Sequence, residues 1–149
     1  MAVERTLVLL KPDVLQRRLA GKVIGRLERK GLKLVGMKLM RITEELAGRH
    51  YAEHVDKPFF PELRDFVTSS PIVAMAWEGE QAIDAVRTLV GATNPFKADP
   101  GTIRGDFGLN FTKNLVHGSD SGASAARELK LFFEDDELLD YELCDGAWL

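Results

Sequence analysis

The sequence predicts an α+β chain of the ferredoxin-like kind: a βαββαβ sandwich, its four-stranded antiparallel sheet covered by helices on one side, with a long loop added. Three observations predict it. Strand-type apolar runs and helix-type periodic stretches follow the order strand, helix, strand, helices, strand, helix, loop, strand, helix. The 149 residues, 45% hydrophobic and 29% charged, suit one domain over 1–149 with a real core. No repeat, linker or low-complexity segment interrupts the order.

Arg5 to Leu10 reads as a buried strand because Leu7, Val8, Leu9 and Leu10 are consecutive, and Lys11-Pro12-Asp13 stops it, since proline donates nothing to a ladder. Lys11 therefore lies at a strand end. From Val14 to Lys30, Leu15, Leu19, Val23 and Leu27 recur every fourth residue, which marks an amphipathic helix closed by Gly31. Its basic face, with Arg17, Arg18, Lys22, Arg26, Arg29 and Lys30, reads as solvated. Leu32 to Ile42 is a second strand, broken by Gly36 at a bulge.

Thr43 caps the next helix, with Glu44 and Glu45 in its first turn where the dipole favours acids, and the helix runs through His50, Tyr51 and His54 to Lys57-Pro58. Glu62 to Val67 forms a short helix, Pro71 to Trp77 a third strand, and Gln81 to Val90 a further helix with Ile83, Val86, Leu89 and Val90 inward. Gly91 to Lys113 is a long loop of little periodicity, and such loops in compact domains are usually functional, disordered or misassigned. Asn114 to His117 supplies the fourth strand. The last helix runs from about Ser121 to Phe133, and an acidic tail follows.

A net charge of −3 argues against a general nucleic-acid or anionic-membrane binder, both of which need a basic footprint. Cys144 is the sole cysteine, so no intrachain disulfide forms. Val8-Leu9-Leu10 is too short for a membrane or signal segment, and a cytoplasmic location is expected.

Several motifs carry candidate chemistry. Gly31 to Lys38 has the glycine spacing of a P-loop, but Met37 breaks the Gly-Lys pair and no Ser or Thr follows; G-x-G-x-x-G is absent as well. His50-Tyr51-Ala52-Glu53-His54 matches the H-x-x-E-H pattern of a zinc hydrolase, with the two histidines on one helical face and Glu53 as base. A third ligand is wanting, and the pair reads as two exposed helical histidines. Asn114-Leu115-Val116-His117-Gly118-Ser119-Asp120-Ser121 places His117 on a strand-to-helix turn, where a side chain points into a cleft and free N–H groups suit an anion. Gly118 beside it has no side chain to crowd that turn.

That last stretch resembles the signature of the nucleoside diphosphate kinases. The resemblance extends to Thr6-Leu7-Val8-Leu9-Leu10-Lys11-Pro12-Asp13, Pro58-Phe59-Phe60, Gly91-Ala92-Thr93-Asn94-Pro95 and Gly101-Thr102-Ile103-Arg104-Gly105-Asp106-Phe107, in order and over essentially the whole chain. It implies reversible transfer of a γ-phosphoryl group from a nucleoside triphosphate to a nucleoside diphosphate through phosphorylated His117, maintaining nucleoside triphosphate pools. A histidine of ordinary pKa, about 6.5, is mostly neutral at cytoplasmic pH and can attack without a separate base.

By the same likeness Glu128, tied to Ser119, orients His117. Lys11, Arg87, Arg104 and Thr93 engage phosphates, Tyr51 assists near the transferred group, and Asn114 holds the ribose hydroxyl. Phe59 stacks on the base, with Phe111 standing where the family usually has an aliphatic residue against its other face. Mg2+ arrives on the nucleotide, with Asp120 an outer contact through water and no direct protein ligand. The likeness also implies a homo-oligomer, and Pro95, Pro100 and the tail to Leu149 favour a hexamer over a tetramer. Two rival readings are a zinc-dependent hydrolase using His50 and His54, and a nucleotide-binding module that forms no phosphoenzyme.

Overall fold

The computed structural model describes residues 2–149. The first strand, β1 (Val3–Leu10), is the hub. It pairs antiparallel with β3 (Ile72–Glu80) from Val3↔Glu80 to Leu10↔Val73, and on its other edge with β4 (Val116–Gly118), where Leu9 faces His117. The remaining strand, β2 (Lys33–Met40), pairs antiparallel with β3, so the order is β2-β3-β1-β4. The ferredoxin-like expectation holds. So does the bulge: the β2–β3 register shifts between Leu34 and Gly36.

Helices cover both faces of the sheet, not one. Val8 and Leu10 of β1, with Met75 and Trp77 of β3, pack under Val14 of α1 (Pro12–Gln16), Val23 and Leu27 of α2 (Ala20–Lys30), and Val86 and Val90 of α5 (Ala82–Val90). Leu7, Leu9, Ala74 and Ala76 point the other way. They meet Ala47 of α3 (Glu44–His50), Phe60 and Val67 of α4 (Phe60–Thr68), and Phe132 of α7 (Gly122–Phe132). Because successive strand residues face opposite sides, four consecutive apolar residues in β1 require two covered faces.

The single helix expected from Val14 to Lys30 is two. The chain turns at Arg17-Arg18-Leu19, with Arg18 in the left-handed region at φ 58°, and α2 ends as expected on left-handed Gly31. The basic face of this segment is only partly solvated. Arg26 donates to Asp106 at 2.6 Å and to the Gly101 carbonyl, and Arg17 donates to the Phe107 carbonyl, so two of its guanidiniums clasp the long loop. That loop holds a further helix, α6 (Ile103–Phe107), capped by Thr102, and a Cβ on Gly105 would stand 1.9 Å from the Asp99 carbonyl oxygen. The acidic tail runs beside β2, with Leu139 N–H on the Val35 carbonyl and ion pairs Lys33–Asp140 and Lys38–Glu137. Among the described residues no helix is long and apolar enough to cross a membrane.

Candidate active site

Three chain segments converge at the carboxyl end of β1. Lys11 follows the strand, His117 lies opposite Leu9 on β4, and Asn114 precedes β4 at a turn where Leu115 is held at φ 77°. A non-glycine residue in this region is strained by about 1–3 kcal/mol and persists only when its surroundings over-determine it. Here they do. Asp13 accepts the Leu115 N–H at 3.0 Å, Lys11 N–H bonds the Leu115 carbonyl, and the Leu115 side chain is wholly buried. Arg104 of α6 donates to the carbonyls of Gly91, Asn114 and Val116, which fastens the loop to the turn.

The turn then feeds α7. Ser121 caps it by accepting the Ser124 N–H, and Glu128, two turns in, faces back to the strand. His117 Nε2 and Glu128 Oε1 are 2.8 Å apart, and the Ser119 hydroxyl donates to the same oxygen at 2.7 Å. Ser119 in turn accepts the Leu7 N–H at 3.3 Å. Burial alone would raise the Glu128 pKa. The hydrogen bond from His117, that ring's charge and the Ser119 hydroxyl outweigh it and hold the carboxyl below its usual range. An ionised carboxylate accepts, so a neutral His117 donates Nε2–H and keeps its lone pair on Nδ1.

Around this pair lies a cleft of about 290 Å³. Of the residues expected there, Lys11, Tyr51, Arg87, Thr93, Arg104, Asn114, His117, Asp120 and Glu128 line it, and Ser119 is buried behind. Phe59 and Phe111 do not line it; they are 49% and 61% exposed, and the Phe59 ring lies 5.4 Å from that of His54. Gly118 lines the cleft, yet a Cβ there would first meet Val86 of α5 at 3.0 Å, so its smallness also serves helix packing.

The cleft is cationic. Burial, then the charge of Arg104, lowers the Lys11 pKa to about 8, with Asp13 opposing; burial, then Arg87, lowers Arg104 to about 10. Lys11 Nζ donates to Asn114 Oδ1 at 2.8 Å, and the Asn114 amide donates to the Thr93 carbonyl at 3.1 Å. Tyr51 is buried with its hydroxyl unpaired, and burial together with the Glu128 charge raises its pKa.

The expectation for His50 and His54 fails. The helix ends at His50, and His54 sits in a 3-10 turn (Ala52–His54), so the two histidines share no helical face. His50 is 3% exposed, lines the cleft, and packs edge-to-face on His117 with ring centroids 4.6 Å apart. Arg127 was also missed. It lines the cleft and donates to the carbonyls of Arg49 and His50. The signal for His50 was present: Ala47, His50 and Tyr51 stand at i, i+3 and i+4, the spacing of a buried face. Among the described residues, His50, His117 and Glu128 are the one group whose donor atoms cluster, within 4.8 Å. The cations Lys11, Arg87, Arg104 and Arg127 that line the same cleft oppose a metal ion there.

An imidazole backed by a carboxylate, with the buried cations Lys11 and Arg104 and the exposed Arg87 and Arg127 around the cleft, is the build of an enzyme that handles phosphoryl groups. The profile of the family described as nucleoside diphosphate kinase matches residues 4–138. The chain is 60% identical over 147 residues to the nucleoside diphosphate kinase of Archaeoglobus fulgidus, covering 99% of this chain and 97% of that one. Identity to the Bacillus licheniformis enzyme is 57%, covering 99% of each. The solved nucleoside diphosphate kinase of Halobacterium salinarum, in complex with CDP, superposes with a TM-score of 0.97 at 55% identity, covering 99% of this chain and 98% of that one. The chain belongs to the nucleoside diphosphate kinase family. It is a nucleotide-binding kinase.

Proposed function

We propose that the chain exchanges the γ-phosphoryl group between nucleoside triphosphates and diphosphates by a ping-pong scheme through phosphorylated His117, acting as one catalytic domain that maintains nucleoside triphosphate pools. The observation that carries this reading is the 2.8 Å contact between His117 Nε2 and Glu128, which leaves Nδ1 as the nucleophile. Nδ1 attacks the γ-phosphorus as the bond to the bridging oxygen breaks, and the diphosphate leaves with the electron pair. Glu128 balances the positive charge on the ring. A terminal oxygen of a second diphosphate then attacks the same phosphorus, restoring His117. Both bonds exchanged to nucleotide are phosphoanhydrides, so the overall reaction is nearly balanced.

The transition state spreads charge over phosphoryl oxygens, and positioned cations are the means of stabilising it. Lys11, Arg87 and Arg104 serve here with Thr93, and Tyr51 assists near the transferred group. The Asn114 amide, already bonded to Lys11 and Thr93, has a further lone pair and proton for a ribose hydroxyl. Phe59 and Phe111 are exposed aromatics available to the base, and stacking, worth roughly 1–3 kcal/mol per base, barely distinguishes bases. Broad nucleotide specificity follows. The CDP bound by the Halobacterium salinarum relative supports a nucleotide site here.

Mg2+ arriving with the nucleotide would offset the charge of the phosphates. Asp120 suits a water of its shell: it lines the cleft, and hydrogen bonding from Ser124 lowers its pKa, keeping a hard oxygen donor ionised. The reading includes a homo-oligomer, a hexamer over a tetramer, and a cytoplasmic location supported by the lone Cys144.

Incubation with labelled ATP and Mg2+ should give an acid-labile, base-stable phosphoenzyme that GDP discharges. His117→Ala should abolish both label and transfer. Label that survives acid would rule out a phosphohistidine.

A further inference from the structure

We infer that His50 is the positioning residue of His117: its ring, set edge-to-face on the imidazole, holds it in the plane where Nε2 meets Glu128 and Nδ1 is left for the cleft. The inference rests on the phosphohistidine reading and adds a residue to it. The hydrogen bond to Glu128 fixes His117 at one atom. Rotation of an imidazole about its Cβ–Cγ bond is broad, so the ring can still swing about that anchor. A second contact at a steep angle removes this freedom. His50 supplies it, with its centroid 4.6 Å from that of His117 and the planes at 84°.

The wall is itself braced. His50 stands at the end of α3, its ring edge-on to Tyr51 at 4.5 Å and to Phe132 of α7 at 5.2 Å. Arg127, next to Glu128 on α7, donates to the Arg49 carbonyl at 3.0 Å and the His50 carbonyl at 3.3 Å, closing the carbonyl end of α3. Wall and carboxylate are thereby joined through one helix pair. Neither ring nitrogen of His50 has a hydrogen-bond partner, although the ring is buried. Stability alone would favour an apolar side chain at such a place. Burial and the neighbouring His117 keep the ring neutral, with its pKa pushed down to about 3, and a charged ring there would repel the cation that forms on His117.

The test compares His50→Ala and His50→Phe in the full chain by single-turnover phosphorylation, separately measured nucleotide affinity, and nitrogen NMR of the His117 tautomer. His50→Ala should slow phosphoenzyme formation about 100-fold while nucleotide affinity stays close to that of the natural protein. Its His117 signals should move from one Nε2–H tautomer to a mixture. His50→Phe, which returns a ring to the site, should recover most of the rate and the single tautomer. A folded His50→Ala protein with the natural rate and tautomer would overturn the inference. So would His50→Phe giving a slow rate with mixed tautomers, and this second variant decides the matter alone if His50→Ala does not fold. Absence of phosphoenzyme in the natural protein would overturn the phosphohistidine reading instead, and the tautomer in the two variants would still report on the ring contact.

Discussion

Lys11 shows how a single residue is set against the stability of the fold. It is buried at the end of β1 beside Arg104, and its pKa falls from 10.5 to about 8. Below pH 8 the folded state carries the full penalty of the buried charge; between pH 8 and 10.5 the unfolded chain holds the extra proton, so this group's contribution to stability improves as pH rises. Lys11→Met should therefore raise stability at neutral pH by roughly 2–3 kcal/mol, less what the Lys11–Asn114 hydrogen bond contributes, while weakening nucleotide binding strongly. Thermal unfolding and nucleotide titration together check this. A destabilised variant would show that Lys11 is held by more than it costs. Lys11 was readable in advance from its place before Pro12-Asp13. Its perturbation was not, because that depends on Arg104, which the fold brings from far along the chain.

At the scale of elements, the segment between β1 and β2 is the instructive case. Leucine and valine spacing runs through Val14 to Leu27 without a break, so periodicity alone reads one helix. The chain instead turns at Arg18, an exposed residue at φ 58° with no glycine to ease it. Arg18→Gly should stabilise by about 0.5–1 kcal/mol, the left-handed penalty less the added freedom of the unfolded chain, seen as a higher urea midpoint at unchanged slope. An unchanged or lower midpoint would mean that the junction carries no such strain. Gly31 is the opposite case: its left-handed φ of 104° is met by the residue type that tolerates it, and a Cβ would stand 2.9 Å from Leu149. Helix α3 was placed correctly at its start, by Thr43, and wrongly at its end. Capping is local chemistry, whereas its early close at His50 goes with contacts to Arg127 and His117.

For the molecule as a whole, β2 is an outer strand of the sheet and leaves Met37 and Leu39 47% and 68% exposed. The acidic tail meets this strand at Val35 but leaves those two apolar side chains uncovered, and exposed apolar patches mark interaction surfaces. Phe96 and Leu109 in the long loop and Trp148 and Leu149 at the tail are exposed as well. Light scattering should return a hexamer for the natural protein. Leu39→Asp should lower the mass while leaving circular dichroism unchanged. A monomer from the natural chain would reject the assembly.

From local residue types alone came the element order of a ferredoxin-like chain, the helix starts at Thr43 and about Ser121, the helix stop at Gly31 and the bulge near Gly36, whereas the partners of His117 came only from the likeness of its motifs to a family. These are short-range facts, set by backbone chemistry and by patterns written along the chain. Tertiary structure decided the rest. It covered both faces of the sheet, which the unbroken Leu7-Val8-Leu9-Leu10 run already implied, and it turned His50 from a surface residue into a wall. It also drew Arg17 and Arg26 onto the loop, and left Phe59 and Phe111 outside the cleft walls. Each of these depends on which distant segments meet, and that is settled by packing two cores on one sheet, a condition that periodicity within any one segment does not contain.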